Sequence, residues 1–245
     1  MAAERELVKR GQMDYYHQPE AVGGDDRFAG WAQQYEHDVL SRLLTVLQLR
    51  AAARLRLTAT DRFLDVGCAT GAAVRDASAT VRLAVGVDRC AAMVWRARAL
   101  AEALPGTAFV VADAEQLPFP PTFSAVLSTT TLRHLADPAG AVCEMARVLL
   151  PGGRIVVADF AACGDKGDRR RWNGPRRSER VSRWVDPLQA VSTAPLGVTE
   201  VVRLATAFGF YVIVSAAKPK VSGLVTDGWW SRRQVDRSSG SRVAR

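Results

Sequence analysis

Residues 63–71 read FLDVGCATG, an apolar run that reaches Asp65 and passes into a turn containing Gly67, Ala69 and Gly71. Seventeen residues beyond Gly71, a second apolar run, LAVGV, ends in Asp88. A buried strand, a small-residue turn and a second strand closed by a carboxylate form half of a nucleotide-binding α/β unit. Glycine has no Cβ, so such a turn lets backbone approach a ligand closely. A carboxylate at the end of the next strand is placed to accept from two ribose hydroxyls.

Outward from this core, strand and helix signals alternate. Residues 91–104 read as a helix stopped by Pro105-Gly106, TAFVVAD as a strand, and LPFPP as a loop. FSAVLST reads as a strand, Asp137-Pro138 opens a helix to about Leu150, Pro151-Gly152-Gly153 makes a turn, and RIVVADF is a fifth strand. Residues 197–208 read as a helix, FYVIVSA as a strand and LVTDGWWSRR as a last strand. Short apolar runs alternating with helices predict a sheet covered on both faces. The expected fold is α/β, Rossmann-like and doubly wound, with a mostly parallel seven-stranded sheet.

Two additions flank this domain. Residues 1–56 are expected to form an N-terminal helical lid, with Phe28, Trp31 and Tyr35 at helical spacing and an aromatic knot at Tyr15, Tyr16 and His17. For Phe28 and Trp31 the plainer reading is the buried stripe of an amphipathic helix. The main domain spans 57–235. Its insert at 161–190, after the fifth strand, is expected to cap the substrate pocket, with Trp172 and Trp184 as candidate substrate contacts. Residues 236–245 read as a disordered tail.

Composition narrows the classes. No apolar run reaches the roughly 18 residues of a membrane span, and the N-terminus, MAAERELVKRGQ, lacks the apolar stretch of a secretory signal. A cytoplasmic protein is the expectation. Cys68, Cys90, Cys143 and Cys163 form no CxxC and have no histidine at metal spacing, so free thiols and no metal are expected. The net charge is +8, with 29 Arg and 4 Lys, and seven of those arginines fall between Arg169 and Arg183. Such a balance suits acidic partners, and an arginine excess also arises from genomic base composition.

In the order of its motifs, residues 60–160 resemble the class I S-adenosylmethionine-dependent methyltransferases, in particular the ubiquinone/menaquinone-type and small-molecule branch. FLDVGCATG resembles the motif that wraps the methionine portion of the cofactor, VGVDRC the ribose motif, and VVADAEQLPFP the adenine motif. STTTLRHLADP with VLLPGGRIVVADF resembles the block of the fourth and fifth strands. The resemblance implies S-adenosylmethionine as cofactor and S-adenosylhomocysteine as product. It places Asp65, Gly67, Ala69 and Gly71 around the amino-acid end, Asp88 on the ribose, and Asp113 and Ala114 beside the adenine. Arg89, Met93, Thr129 and Tyr35 join the cofactor set by position. Ala69 stands where the family usually has glycine.

For the chemistry, His134 beyond the fourth strand is a candidate general base. Tyr16 and Tyr35 are candidates for an aromatic lid facing a sulfonium, and His17 for a substrate contact. The expected reaction is in-line methyl transfer to a small oxygen, carbon or nitrogen acceptor, natural-product or quinone-like. Two other readings stay open: a non-methyl reaction such as a cyclisation, and a nucleic-acid methyltransferase. Against the second, LSTTTL lacks both the Asn/Asp-Pro-Pro-aromatic tetrapeptide and a Pro-Cys nucleophile. A homodimer is compatible with the two aromatic-bearing additions.

Overall fold

The computed structural model describes residues 26–161, 185–206 and 209–220. The chain enters through a short helix α1 (Asp26–Ala29) and a turn-rich stretch, then α2 (Val39–Ala52) and a 3-10 turn (Ala53–Leu55). Next come β1 (Arg62–Val66), α3 (Ala72–Ala77), β2 (Leu83–Asp88), α4 (Ala91–Leu100), β3 (Thr107–Val111) and β4 (Phe123–Thr129). A 3-10 turn (Leu132–His134), α5 (Pro138–Val148), β5 (Leu149–Ala161), α6 (Pro187–Ser192), β6 (Gly197–Thr206) and β7 (Gly209–Ala217) complete the order.

The strands form one seven-stranded sheet in the order β3-β2-β1-β4-β5-β7-β6. β1 to β5 pair in parallel, and β7 runs antiparallel to β5 and to β6. Strand alternation gives the sheet two apolar faces. Leu64, Val66, Val85 and Val126 pack with α5 and α6 on one side. Phe63, Ala84, Leu127 and Tyr211 pack with α2, α3 and α4 on the other. The order reverses between β1 and β4, and in such sheets ligands bind beyond the carboxyl ends of the strands at that switch.

Local chemistry explains the helix starts. Asp38, Asp137 and Asp186 each accept a backbone N–H of the first turn, from Ser41, Gly140 and Leu188 respectively. Pro138 and Pro187 begin α5 and α6, where a missing N–H costs nothing.

Three expectations are revised. Residues 197–206 are a strand, not a helix, paired with β7 from Gly197↔Ala217 to Thr206↔Gly209. Val198, Val201, Val202 and Ala205 imitate a helical stripe. The β-branched content, Val198, Thr199, Val201, Val202 and Thr206, and the two-residue link to β7 favour a hairpin instead. This strand supplies the seventh place in the sheet, so the stretch at 224–233 is not needed for it and lies outside the described residues. Pro151–Gly153 is a bulge inside β5, since Leu149 pairs with Phe123 and Arg154 with Ala125. The N-terminal lid is in part structural, because Leu47, Ala51, Ala52 and Leu55 belong to the same core as β1 and β4. Residues 1–25, most of the insert (162–184) and the 236–245 tail are outside the described set. No described helix is long and apolar enough to cross a membrane.

A polar knot fastens the lower edge. Arg154 donates to Asp61 Oδ1 at 3.0 Å and Oδ2 at 2.6 Å, and also to the Leu55 carbonyl. Ser124 and Thr58 add bonds to the same carboxylate. Burial alone would raise the Asp61 pKa, but the hydrogen bonds from Arg154, then Ser124 and Thr58, outweigh it and hold the group well below the usual carboxylate range. A depressed folded-state pKa gives stability that is present above the ordinary value and lost as pH falls below it. Arg154→Met is expected to cost about 2–4 kcal/mol at pH 7 by leaving Asp61 without its cation. In urea titrations the difference from the parent chain should shrink below about pH 4.

Candidate active site

A cavity opens at the carboxyl ends of β1, β2 and β4. It encloses about 910 Å³ of atom-free space, part of it open to solvent.

Its floor is the turn after β1. Gly67 and Cys68 donate to the Val87 carbonyl at 2.7 and 2.9 Å, which ties the turn to β2. Gly67 has φ 80°, and a Cβ there would lie 2.0 Å from Thr131 Oγ1. Gly67 and Ala69 border the cavity. Gly71 does not: a Cβ at that position would strike the Phe109 ring at 2.4 Å, so this glycine serves the packing of α3 against β3 and α4. Ala69 sits at φ 46°, a left-handed conformation that costs an L-residue energy. Ala69→Gly is therefore expected to stabilise the chain by about 0.5–1 kcal/mol, a rise of about 1–3 °C in Tm by differential scanning fluorimetry.

Asp88 ends β2 at the cavity wall. Its Oδ2 accepts from the Ala69 N–H and its Oδ1 from the Cys90 N–H, both at 2.9 Å. Burial pushes its pKa up, while those two backbone donors and the nearby Arg89 pull the other way. The carboxylate thus braces the turn and starts α4, and still has acceptor capacity for two hydroxyl donors. Arg89 and Met93 border the cavity beside it, with Met93 at the first turn of α4.

Ala112 and Ala114 form the wall beyond β3. Asp113 lies between them but is not among the cavity residues. Its Oδ1 accepts the Glu115 N–H at 2.9 Å, the bond of a turn. Leu117 is buried in the core, and Gln116 is exposed.

Asp65 is fully buried and does not border the cavity. Gln48 of α2 donates to its Oδ2 at 3.1 Å, and its Oδ1 accepts nothing from the described residues. Burial first, and then the charge of Asp88, push its pKa up to about 8.

The opposite end of the cavity is built by the segment after β4. Thr129, Thr130, Thr131, Arg133, His134 and Leu135 all border it. Thr130 has φ 53°, a costly conformation for a β-branched residue. The surroundings hold it there. The Arg133 N–H donates to Asp159 Oδ2 at 3.2 Å, and its guanidinium pairs with Oδ1 of the same buried acid. Glu115 accepts from the Ala136 and Asp137 N–H groups at 2.8 and 3.1 Å. The Arg133 guanidinium also lies 4.7 Å over the Phe160 ring.

Aromatic residues roof the cavity. Phe28 meets His134 edge to face at 5.4 Å, and Trp31 meets Tyr35 at 5.1 Å. Burial, then the charges of Asp88 and Asp65, push the Tyr35 pKa up to about 12, so it stays a neutral phenol. Phe28 and Trp31 face the cavity rather than only filling a buried stripe. The short α1 and its following turns, not one continuous amphipathic helix, present them. Tyr16, His17, Trp172 and Trp184 lie outside the described residues.

Sequence reading placed Thr129 and Thr130 at the crevice end of the fourth strand and missed Leu44, Val87, Thr131, Arg133 and Leu135 as cavity residues. Position was the available signal for Thr131, because it closely follows a strand whose carboxyl end faces the crevice. Arg133 carried none, since its partner Asp159 is distant in sequence.

The ribose wall and aromatic roof fit an adenosyl sulfonium group. Asp88 retains acceptor capacity at the cavity wall, and Phe28, Trp31 and Tyr35 border the same space with aromatic faces. Comparison with known proteins agrees. Residues 64–157 match a family described as "Methyltransferase domain". A demethylmenaquinone methyltransferase of Tropheryma whipplei is 37% identical over 134 residues, covering 53% of this chain and 56% of that protein. The 27-O-demethylrifamycin SV methyltransferase of Amycolatopsis mediterranei is 35% identical over 160 residues, covering 58% and 59%. The chain thus spans a little over half the length of these curated relatives. Among solved structures, the N-methyltransferase NodS of Bradyrhizobium japonicum in complex with S-adenosyl-L-homocysteine aligns at a TM-score of 0.58. It is 17% identical, with 89% of this chain and 99% of that one covered, a likeness of fold.

Proposed function

We propose, from the class I S-adenosylmethionine-dependent methyltransferase domain that residues 64–157 carry, that this chain methylates a small organic acceptor of natural-product or quinone-like type. The observation that carries the reading is the Asp88 carboxylate, braced by two backbone donors at the wall of a cavity walled by Ala112, Ala114 and Met93. When bound, the cofactor supplies a methyl group activated by its sulfonium, open to in-line displacement.

The chain's residues have separate tasks. Asp88 accepts from the ribose hydroxyls. Met93, Ala112 and Ala114 sandwich the adenine, and Gly67 with Ala69 lets the amino-acid end lie against backbone. Tyr35, Trp31 and Phe28 exclude water and offer aromatic faces to a cation. His134 takes the acceptor's proton, and Phe28 holds its ring edge to face. Aligning the acceptor with the methyl carbon then supplies much of the acceleration. Cytoplasmic work is part of this reading, supported by the free thiols of Cys68, Cys90 and Cys143. Assembly as a homodimer draws on Val39, Leu40, Leu43 and Val46, which α2 leaves exposed.

Methyl-labelled S-adenosylmethionine, incubated with a panel of phenols and hydroquinones, tests the reading. A product heavier by one labelled methyl is expected. Cofactor binding with no mass gain across the panel would move the chain to non-methyl chemistry. With an accepted substrate in hand, His134→Gln is expected to lower kcat about 100-fold. Cofactor Kd should stay within about twofold, because that histidine carries no binding role in this account.

A further inference from the structure

Arg133 brings a fixed positive charge to the end of the cavity away from Asp88. Two contacts set where its guanidinium lies. Nη2 pairs with Oδ1 of the fully buried Asp159, and the planar group rests 4.7 Å over the Phe160 ring. Asp159 is itself held, because the Phe160 N–H donates to its Oδ1 at 2.7 Å and the Arg133 N–H to its Oδ2 at 3.2 Å. The side-by-side pairing of β4 and β5 brings these groups together.

A guanidinium offers a planar fork of N–H donors, and here Asp159 takes up Nη2. Among the described residues no hydrogen bond reaches Nε or Nη1, and Nε is buried. Unmet donors of a cation shielded from water are costly. Arg133 borders the cavity with 21% of its side chain accessible, so a ligand there can meet them. The guanidinium is fixed before any ligand arrives, so little rotamer freedom is lost on binding.

The charge around it selects the ligand. Asp88 is the one acid among the described cavity residues, and its oxygens accept backbone N–H groups at the other end. Asp159 does not border the cavity. Thr130, His134 and Phe28 adjoin Arg133 along the wall, and the two rings meet edge to face at 5.4 Å. Such a surface offers donors and flat apolar walls to a planar anion, and no carboxylate to an ammonium.

We infer that Arg133 is a specificity-determining residue that selects a planar acceptor bearing an anionic oxygen, either a carboxylate or an ionised phenol or enol. That oxygen docks on the donors Asp159 leaves open, and a cationic amine is turned away. No covalent bond changes in this recognition step. The inference rests on the methyl-transfer reading above and deepens it, since it removes basic amines from the oxygen, carbon and nitrogen acceptors.

Equilibrium dialysis of the full chain saturated with S-adenosylhomocysteine tests this, with probes that share a nitrophenyl frame. At pH 8, 4-nitrobenzoate and 4-nitrophenolate are anions, 4-nitrobenzyl alcohol is neutral and 4-nitrobenzylamine is largely a cation. At least one anion should bind about tenfold or more tighter than the alcohol, the gain of one charge-assisted hydrogen bond. The ammonium should bind weakest. The better anion names the group as carboxylate or phenolate. Arg133→Lys keeps the charge but loses the planar fork, and should cut the anion's advantage by about threefold or more. Arg133→Met combined with Asp159→Asn removes the cation without leaving its acid buried and unpaired, and should abolish the advantage. The alcohol and S-adenosylhomocysteine should bind both variants within about twofold of the parent, whereas a merely structural role would weaken every ligand together.

The assignment is overturned if neither anion is favoured over the alcohol, if no anion binds at millimolar concentration, or if the double variant keeps the advantage. Tightest binding of the ammonium overturns it in favour of an amine acceptor. Failure of the parent chain to bind S-adenosylhomocysteine overturns the cofactor reading, and the same probes on the unliganded chain still decide the role of Arg133.

Discussion

Asp88→Ala is expected to weaken S-adenosylhomocysteine binding by more than about 100-fold. Hydrogen bonds to a charged acceptor are worth ~1.5–3 kcal/mol each, and two ribose hydroxyls lose theirs together. The substitution also leaves the Ala69 and Cys90 N–H groups without their acceptor. The turn that supports the amino-acid end loosens with them, so the loss exceeds that of the ribose bonds. Asp88→Asn retains the side chain's shape but gives up one acceptor oxygen and the charge, and should fall between the two. Calorimetry with the product cofactor reads both variants. An Asp88→Ala chain that binds as the parent does would contradict the assignment of the ribose site.

Gly67→Ala is expected to be the most damaging single methyl in the molecule. The position holds φ 80°, and the added carbon would lie 2.0 Å from Thr131 Oγ1 and 2.7 Å from Thr131 Cγ2. Thr131 has little freedom to retreat, because its hydroxyl donates to the Thr129 carbonyl at 3.0 Å. The neighbouring segment is pinned too, through Arg133 to Asp159 and through Ala136 and Asp137 to Glu115. The left-handed backbone costs ~1–2 kcal/mol, and overpacking adds ~1–3 kcal/mol. A loss of about 3 kcal/mol should lower Tm by about 6–12 °C, with cofactor affinity down at least about tenfold as Thr131 is displaced. Ala69→Gly, two residues on, should act in the opposite direction on stability, which separates local backbone strain from general sensitivity of the turn. Unchanged thermal stability in Gly67→Ala would show that the turn and the Thr131 segment are not in the contact described.

The parts of this site legible in the sequence were those whose chemistry is local. A strand, its turn and the acid ending the next strand lie within 26 residues, Phe63 to Asp88, so periodicity and residue type suffice to read them. Asp113 shows how far that goes. A turn acid and a ligand acid look alike in sequence, and only the Glu115 N–H distinguishes them. Gly71 is a similar case, since the Phe109 ring that requires it arrives from β3. β6 was hidden because Val198, Val201, Val202 and Ala205 satisfy a helical stripe, and the deciding contact is its hairpin with β7. Arg133 and Asp159 are 26 residues apart and meet because β4 and β5 lie side by side. Asp65 was legible as the acid beside the turn after β1, but its full burial and its bond to Gln48, 17 positions earlier, were not. Those depend on how α2 lies against the sheet.

A crystal structure of the chain saturated with S-adenosylhomocysteine tests the central claim most directly. The account predicts the ribose hydroxyls on the Asp88 carboxylate, adenine between Met93 and the Ala112–Ala114 wall, and the sulfur facing the space ringed by Thr130, His134 and Phe28. Density for the ligand elsewhere, or a cavity closed by its own side chains with Asp88 bonded only to Ala69 and Cys90, would contradict it.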